Sequence, residues 1–167
     1  YDAGFEYPGH TEYLETKASS LRSVMMLACD ELRAVPVTTH LSLEKAIKAL
    51  NTQDIVEVTR ITARALQTDF GIQNPHLMVA ALNPHAGENG ALGCEEIEVI
   101  LPAVNKLKLE GYSVTGPAPA DTLFHPRARE AYDAVICMYH DQALIPLKTI
   151  NFAGGVNITM GLPFVRK

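Results

Sequence analysis

His76-Leu-Met-Val-Ala-Ala-Leu82 is a short apolar run that stops at Asn83-Pro84. A run of that length, closed by turn residues, reads as a buried strand. The elements downstream of it decide the fold. Residues 95–110 carry a helical pattern with Gly111 as its stop, and Pro102 inside it predicts a kink or break. Residues 112–115 read as a short strand, 122–131 as a helix, and 133–138 as an apolar strand that ends at Tyr139-His140-Asp141. Strand alternates with helix. The alternation predicts a layered α/β/α domain around a largely parallel or mixed sheet.

The pattern extends upstream. Residues 23–29 and 34–39 are rich in apolar and β-branched side chains, with Asp30-Glu31 between them as a turn, so they read as a hairpin or adjacent strands. Ser42 is placed to cap a short helix reaching Leu50, and Thr52 to cap the next. In that second helix Ile55, Val58, Ile61, Thr62, Ala65 and Leu66 recur at spacings of three and four, and Gly71 is its stop signal. A short helix is expected at residues 11–17 and a last strand at Val156–Met160. No repeat, low-complexity tract or Pro/Gly/Ser-rich linker divides the sequence, so residues 1–167 read as one α/β domain.

Composition narrows the function classes. Apolar residues make up 47% and charged residues 20% of the chain, too apolar for a disordered protein. The net charge of −5 argues against a nucleic-acid partner. No apolar run is long enough to span a membrane, so no membrane association is expected. Cys29, Cys94 and Cys137 are odd in number and show no CxxC spacing, which fits a reducing, cytoplasmic setting. The chain begins at Tyr1 without a signal-peptide pattern and stops soon after the apolar Gly161-Leu-Pro-Phe-Val165. It is therefore expected to be a segment of a longer protein.

Open α/β sheets place ligands outside the carboxyl ends of their strands, and three histidines fall there. His40 ends Val35-Pro-Val-Thr-Thr-His, His85 follows the 76–82 run, and His140 follows Ala134-Val-Ile-Cys-Met-Tyr. Neutral imidazole suits zinc and related cations, and three such ligands with an open position make a catalytic site. A lone strand-end histidine is more often structural; three at equivalent positions strengthen the metal reading. Asn83-Pro-His-Ala-Gly-Glu-Asn-Gly90, with Gly93, can face an anion with its backbone or be a plain strand-to-helix turn. Thr11 can cap a helix, with His10 beside an anion there. Lys148, Asn157 and Arg166 can pair with phosphate or carboxylate, although a single Lys or Arg is usually a solvated charge. Asp121 and Asp141 can each orient a histidine or cap a helix. Cys137, in an apolar strand, is expected to be buried and inert.

Together these stretches resemble the 4-hydroxythreonine-4-phosphate dehydrogenase family. The resemblance rests on Gly9-His-Thr-Glu-Tyr13, Val37-Thr-Thr-His40, Leu82-Asn-Pro-His-Ala-Gly-Glu-Asn-Gly90, Gly116-Pro-Ala-Pro-Ala-Asp-Thr-Leu-Phe124, Ala131-Tyr-Asp-Ala-Val135, Met138-Tyr-His-Asp-Gln142, Ile145-Pro-Leu-Lys148, Gly155-Val-Asn-Ile-Thr159 and Gly161-Leu-Pro163. The motifs run in family order across the chain.

The resemblance implies a fold related to isocitrate dehydrogenases, with the active site in a cleft between two domains. It implies His40, His85 and His140 as ligands of a divalent metal (zinc, magnesium or cobalt) at a homodimer interface, two from one subunit and one from the other. It also implies substrate contacts from His10, Thr11, Lys148, Asn157 and Arg166. Lys148 and Asp141 are the candidate catalytic groups, Lys148 to move a proton or hold an anion and Asp141 to orient a ligand. The implied reaction is NAD- or NADP-dependent oxidation of a small phosphorylated amino acid, 4-hydroxythreonine 4-phosphate, followed by decarboxylation, in pyridoxal phosphate biosynthesis. The chain lacks the family's usual N- and C-terminal stretches, so isolated activity is in question. Alternatives are a dehydrogenase of another phosphorylated hydroxy acid or of a dihydrodiol carboxylate, a truncated non-catalytic binding module, and a metal-dependent hydrolase.

Overall fold

A two-residue turn at Asp30 and Glu31 lets strand β1 (Val24–Cys29) fold back on β2 (Leu32–Pro36), with Cys29 opposite Leu32. This is the hairpin expected from the sequence. It sits inside a six-stranded mixed sheet in a computed structural model that describes residues 22–162. The other strands are β3 (Leu77–Ala80), β4 (Val114–Ala118), β5 (Ala134–Cys137) and β6 (Val156–Met160), in the order β4-β3-β5-β2-β1-β6. The β4-β3, β3-β5 and β5-β2 pairs are parallel, and the β2-β1 and β1-β6 pairs are antiparallel. The expected helix at 11–17 lies outside the described residues.

The pleat sends alternate side chains to opposite faces, and each face has its own core. Met26, Val35, Val79 and Ile136 meet one set of helices; Leu27, Ala34, Ala80 and Val135 meet another. Leu50, which closes α1 (Leu43–Ala49), joins the first core, and that face is covered chiefly by α2 (Thr52–Thr68) and α3 (Leu101–Leu109). Ile55, Val58, Thr62, Ala65 and Leu66 are buried on α2, and Ile61 is partly buried, as the spacing required. The buried Thr59 and Thr62 hydroxyls donate to the Ile55 and Val58 carbonyls at 2.6 and 2.8 Å, so neither is left unpaired. Truncating Leu66 to alanine is expected to cost about 3 kcal/mol. A thermal melt should fall by roughly 6–12 °C for a domain of this size. Leu109→Ala, at a site 90% exposed, should leave the melt unchanged.

Four expectations are corrected. Asn51, not Thr52, caps α2: its side chain accepts from the Asp54 amide, while the Thr52 hydroxyl donates to the Val99 carbonyl. The helix expected at 122–131 is two short helices, α4 (Ala120–Leu123) and α5 (Pro126–Arg129). Pro126 holds His125 extended, and the His125 ring caps α5 by accepting from the Ala128 amide. Strand β4 runs on to Ala118 through Gly116-Pro117, which an edge strand tolerates because proline's missing donor costs no ladder bond there. Gly116 is required because a Cβ there would collide with the Val79 carbonyl. The fourth correction is α6 (His140–Ile150), a helix that the sequence pattern did not suggest. Its interior Pro146 looks like a breaker. With α4, α6 covers the second face through Leu123, Ala143 and Leu147. Near Pro102 the expected kink or break takes the form of a wide π-type turn, Glu96–Ile100, which passes into α3 without leaving the helical region.

Candidate active site

Three adjacent parallel strands, β3, β5 and β2, end on the same edge of the sheet. The segments leaving them carry His85, His140 and His40. His140 follows β5, as expected, and is the first residue of α6. Its ring lies 6.0 Å from the His40 ring, centroid to centroid. The two line a cleft of about 260 Å³ with Thr39, Leu41, Tyr139 and Asp141. The His140 Nδ1 is 2.7 Å from Asp141 Oδ1. A carboxylate has no proton to give, so Nδ1–H donates and Nε2 is the ring nitrogen left to face a ligand. His140, Leu144 and Lys148 share one face of α6 at intervals of four, and a second depression joins His140, Asp141 and Lys148. The Lys148 ammonium rests over the Phe152 ring at 5.7 Å.

Asn157 does not line either depression. It stands in the cross-sheet row of Leu27, Ala34 and Val135, all of which belong to the core under α6. Cross-strand partners share a face, so Asn157 is on the α6 side of the sheet, at its exposed edge. Asp121 is exposed on α4, which packs beside the loop carrying His85. His10, Thr11 and Arg166 lie outside the described residues.

His85 opens an unusual turn. Within Pro84–Gly90 every residue from His85 to Asn89 has positive φ: 52°, 55°, 76°, 44° and 56°. This is a left-handed turn. L-residues resist that conformation by roughly 1–2 kcal/mol each, and four of the five are not glycine. Such strain persists only where the surroundings over-determine it. Here they do. Glu96, 3% exposed, accepts from the Leu82 and Asn83 amides at 2.8 and 2.7 Å through Oε1 and from the Asn83 side chain at 2.9 Å through Oε2. Gly87 closes the fit, since a Cβ there would stand 2.5 Å from Glu96 Oε2.

Two imidazoles bound to one tetrahedral cation, at about 2.0–2.1 Å per bond, place their centroids roughly 5 Å apart. The observed 6.0 Å is close to that. A ligating histidine also characteristically donates its second N–H to a carboxylate, as His140 does to Asp141. The pair therefore fits part of a divalent-metal site. His85 does not complete it within one chain: among the described residues no three His, Cys, Asp or Glu side chains gather into a metal-sized group.

A family model described as pyridoxal phosphate biosynthetic protein PdxA matches residues 1–167. The chain belongs to the PdxA family. Curated relatives of similar sequence include two 4-hydroxythreonine-4-phosphate dehydrogenases. The 4-hydroxythreonine-4-phosphate dehydrogenase of Caulobacter vibrioides is 60% identical over 99% of this chain and 52% of its own length. That of Paracoccus denitrificans is 54% identical over 98% and 52%. The chain thus spans about half the length of the curated relatives it matches. Among solved structures, the 4-hydroxythreonine-4-phosphate dehydrogenase of Klebsiella pneumoniae superposes with a TM-score of 0.90 at 45% identity, covering 98% of this chain and 50% of that one. A terephthalate 1,2-cis-dihydrodiol dehydrogenase of Burkholderia xenovorans superposes at 0.85 with 29% identity, covering 94% and 50%.

Two residues of this PdxA chain that shape the site were given no role from sequence, Glu96 and Gln142. The signal for Glu96 was faint: a carboxylate inside an apolar helical stretch, three residues after Gly93. Cys137 is fully buried, and burial pushes its thiol pKa well up. Cys94 is exposed. Iodoacetamide at neutral pH is expected to label Cys94 in the native protein and Cys137 only after unfolding, as read by peptide mass spectrometry.

Proposed function

We propose that this chain is the metal- and substrate-binding part of an NAD(P)-dependent dehydrogenase that oxidises 4-hydroxythreonine 4-phosphate. The observation that carries this reading is the pairing of His40 with an Asp141-held His140 at the carboxyl ends of parallel strands, in a chain of the PdxA family. In this reading the protein acts in the cytoplasm as a homodimer, and His85 serves the site of the second copy. A divalent cation there supplies Lewis-acid polarisation of the substrate hydroxyl and of the carbonyl it becomes. An NAD(P) nicotinamide bound alongside would supply the hydride acceptor.

The chain's own groups do the rest. His40 and His140 offer ring nitrogens at the cleft. Asp141 fixes the His140 tautomer and the orientation of its ring. Lys148, two helical turns along the same face, presents a positive charge for a phosphate or carboxylate and a proton for the enolate left after decarboxylation. Asn157 lies on the same side of the sheet with an amide able to donate and accept. His10, Thr11 and Arg166 complete the anion contacts. Oxidation at the hydroxyl carbon yields a β-keto acid, which loses CO2 to give 3-amino-2-oxopropyl phosphate. A second reading, oxidation of a dihydrodiol carboxylate, draws on the 0.85 superposition, but its 29% identity places it behind.

The test is a reduced-nucleotide absorbance assay with added Zn²⁺, Mg²⁺ or Co²⁺, run on this chain and on a version extended to the relatives' length. Turnover of 4-hydroxythreonine 4-phosphate by the extended version supports the proposal. Metal binding with turnover only of a dihydrodiol carboxylate moves the second reading ahead.

A further inference from the structure

Backbone pairing between β3 and β5 stops at Val79 and Ile136, short of both histidine-bearing segments. Beyond that point a side chain continues it. Gln142, 7% exposed, accepts from the Met138 amide at 2.6 Å through Oε1 and donates to the Ala81 carbonyl at 2.7 Å through Nε2. A primary amide presents the same donor and acceptor as a peptide group, so Gln142 is spliced between the strand ends as one extra amide unit. Met138 extends the chain of bonds: its carbonyl accepts from the buried Thr38 hydroxyl at 2.9 Å, two residues before His40. Ala81 extends it the other way, its amide donating to Ala118 at 2.8 Å. A hydrogen-bonded relay thus links the ends of β2, β5, β3 and β4 beside the segments that carry His40 and His140.

We propose that Gln142 is a positioning residue for His140: by fixing the turn from β5 into α6 against Ala81 on one side and, through Met138, Thr38 on the other, it holds His140 within ligand-sharing reach of His40. The metal part of this inference rests on the function proposed above; the geometric part does not. Gln142 touches neither ring, so it acts through the Met138–His140 backbone. An apolar isostere fills the same volume but breaks both bonds, and the turn then loses the restraint that keeps the two imidazoles together.

The test compares the wild type with Gln142→Met, with Thr38→Val as the second variant should Gln142→Met fail to fold. Two readouts are taken on protein shown folded by its thermal melt. The first, without metal, is the NMR cross-relaxation between the His40 and His140 rings in histidine-labelled protein. The second is Co²⁺ affinity and the visible Co²⁺ spectrum. Loss of the ring-to-ring signal, with Co²⁺ affinity weakened about 10–100-fold and a changed spectrum, is the expected result, in the range seen for outer partners of metal ligands. A lower melting temperature with the ring signal, affinity and spectrum unchanged overturns the proposal, because a merely structural strut predicts that pattern. If the wild type binds no Co²⁺ but the variant still loses the ring signal, the positioning role stands and the metal reading fails.

Discussion

His140→Ala, made in a version extended to the relatives' length, is expected to abolish divalent-metal binding at the site and to lower turnover by more than about 100-fold. Changing an outer partner of a metal ligand already costs about 10–100-fold, and a direct ligand should exceed that. The His140 side chain is 34% exposed and sits outside both core clusters, so its removal should leave the melt within a few degrees. Asp141→Asn gives the graded comparison. Its amide oxygen can still accept from Nδ1–H, but without the negative charge, so a loss of about 10–100-fold is expected. Metal content by atomic absorption and steady-state rates read both variants. A His140→Ala protein that keeps its metal and its rate would remove His140 from the site.

The second large effect is on stability. Glu96→Ala leaves the part-buried Leu82 and Asn83 amides without an acceptor, at about 1–3 kcal/mol each. The Asn83 side chain suffers less, because it also donates to Glu95 at 2.7 Å. A total near 4 kcal/mol is a large share of the roughly 5–15 kcal/mol that holds a domain folded. The melting temperature should drop by about 8–16 °C. Glu96→Gln keeps an oxygen for both amides and should cost only about 1 kcal/mol. Calorimetry measures the two, and hydrogen exchange at Leu82 and Asn83 locates the damage. The left-handed turn at His85 gives the variant a second signature: with its buttress gone, His85 should relax toward negative φ and its ring should lose a fixed position. An unchanged melt for Glu96→Ala would mean that the turn is held by something else.

How far each element was legible in the sequence depends on the range of the forces involved. The hairpin at Asp30-Glu31 and the buried face of α2 are local, written in turn residues and in a period of three and four. The strand ends were legible because apolar runs stop where polar loops begin. Helix α6 was not, because Pro146 forbids one hydrogen bond while the packing of Ala143 and Leu147 on the sheet outweighs that loss. The left-handed turn was hard to see for the same kind of reason: Gly87 is the one glycine among its five residues, and the carboxylate that ties down the chain entering it stands a helical turn beyond the loop. The site was half legible. Residue type and strand-end position marked His40, His85 and His140, but only the folded chain puts His40 beside His140 and leaves His85 out of their group. Gln142 carried no signal at all, since a glutamine reads as surface until both ends of its amide are seen to be used.

Strand β1 has one neighbour close by in sequence and one far along it: Leu27 pairs with Ala34 on β2 and with Asn157 on β6. A hairpin closes in about 1–10 μs, so β1 and β2 can join as soon as they emerge from a ribosome. The segment that covers the other side of β1 is still unmade. At about 5–20 residues per second it arrives on the order of ten seconds later. Through that interval β1 presents an open row of unpaired amides and carbonyls, the kind of edge to which another chain can add a strand. During synthesis, the shortest time for which this one edge stands open is therefore set by the speed of translation.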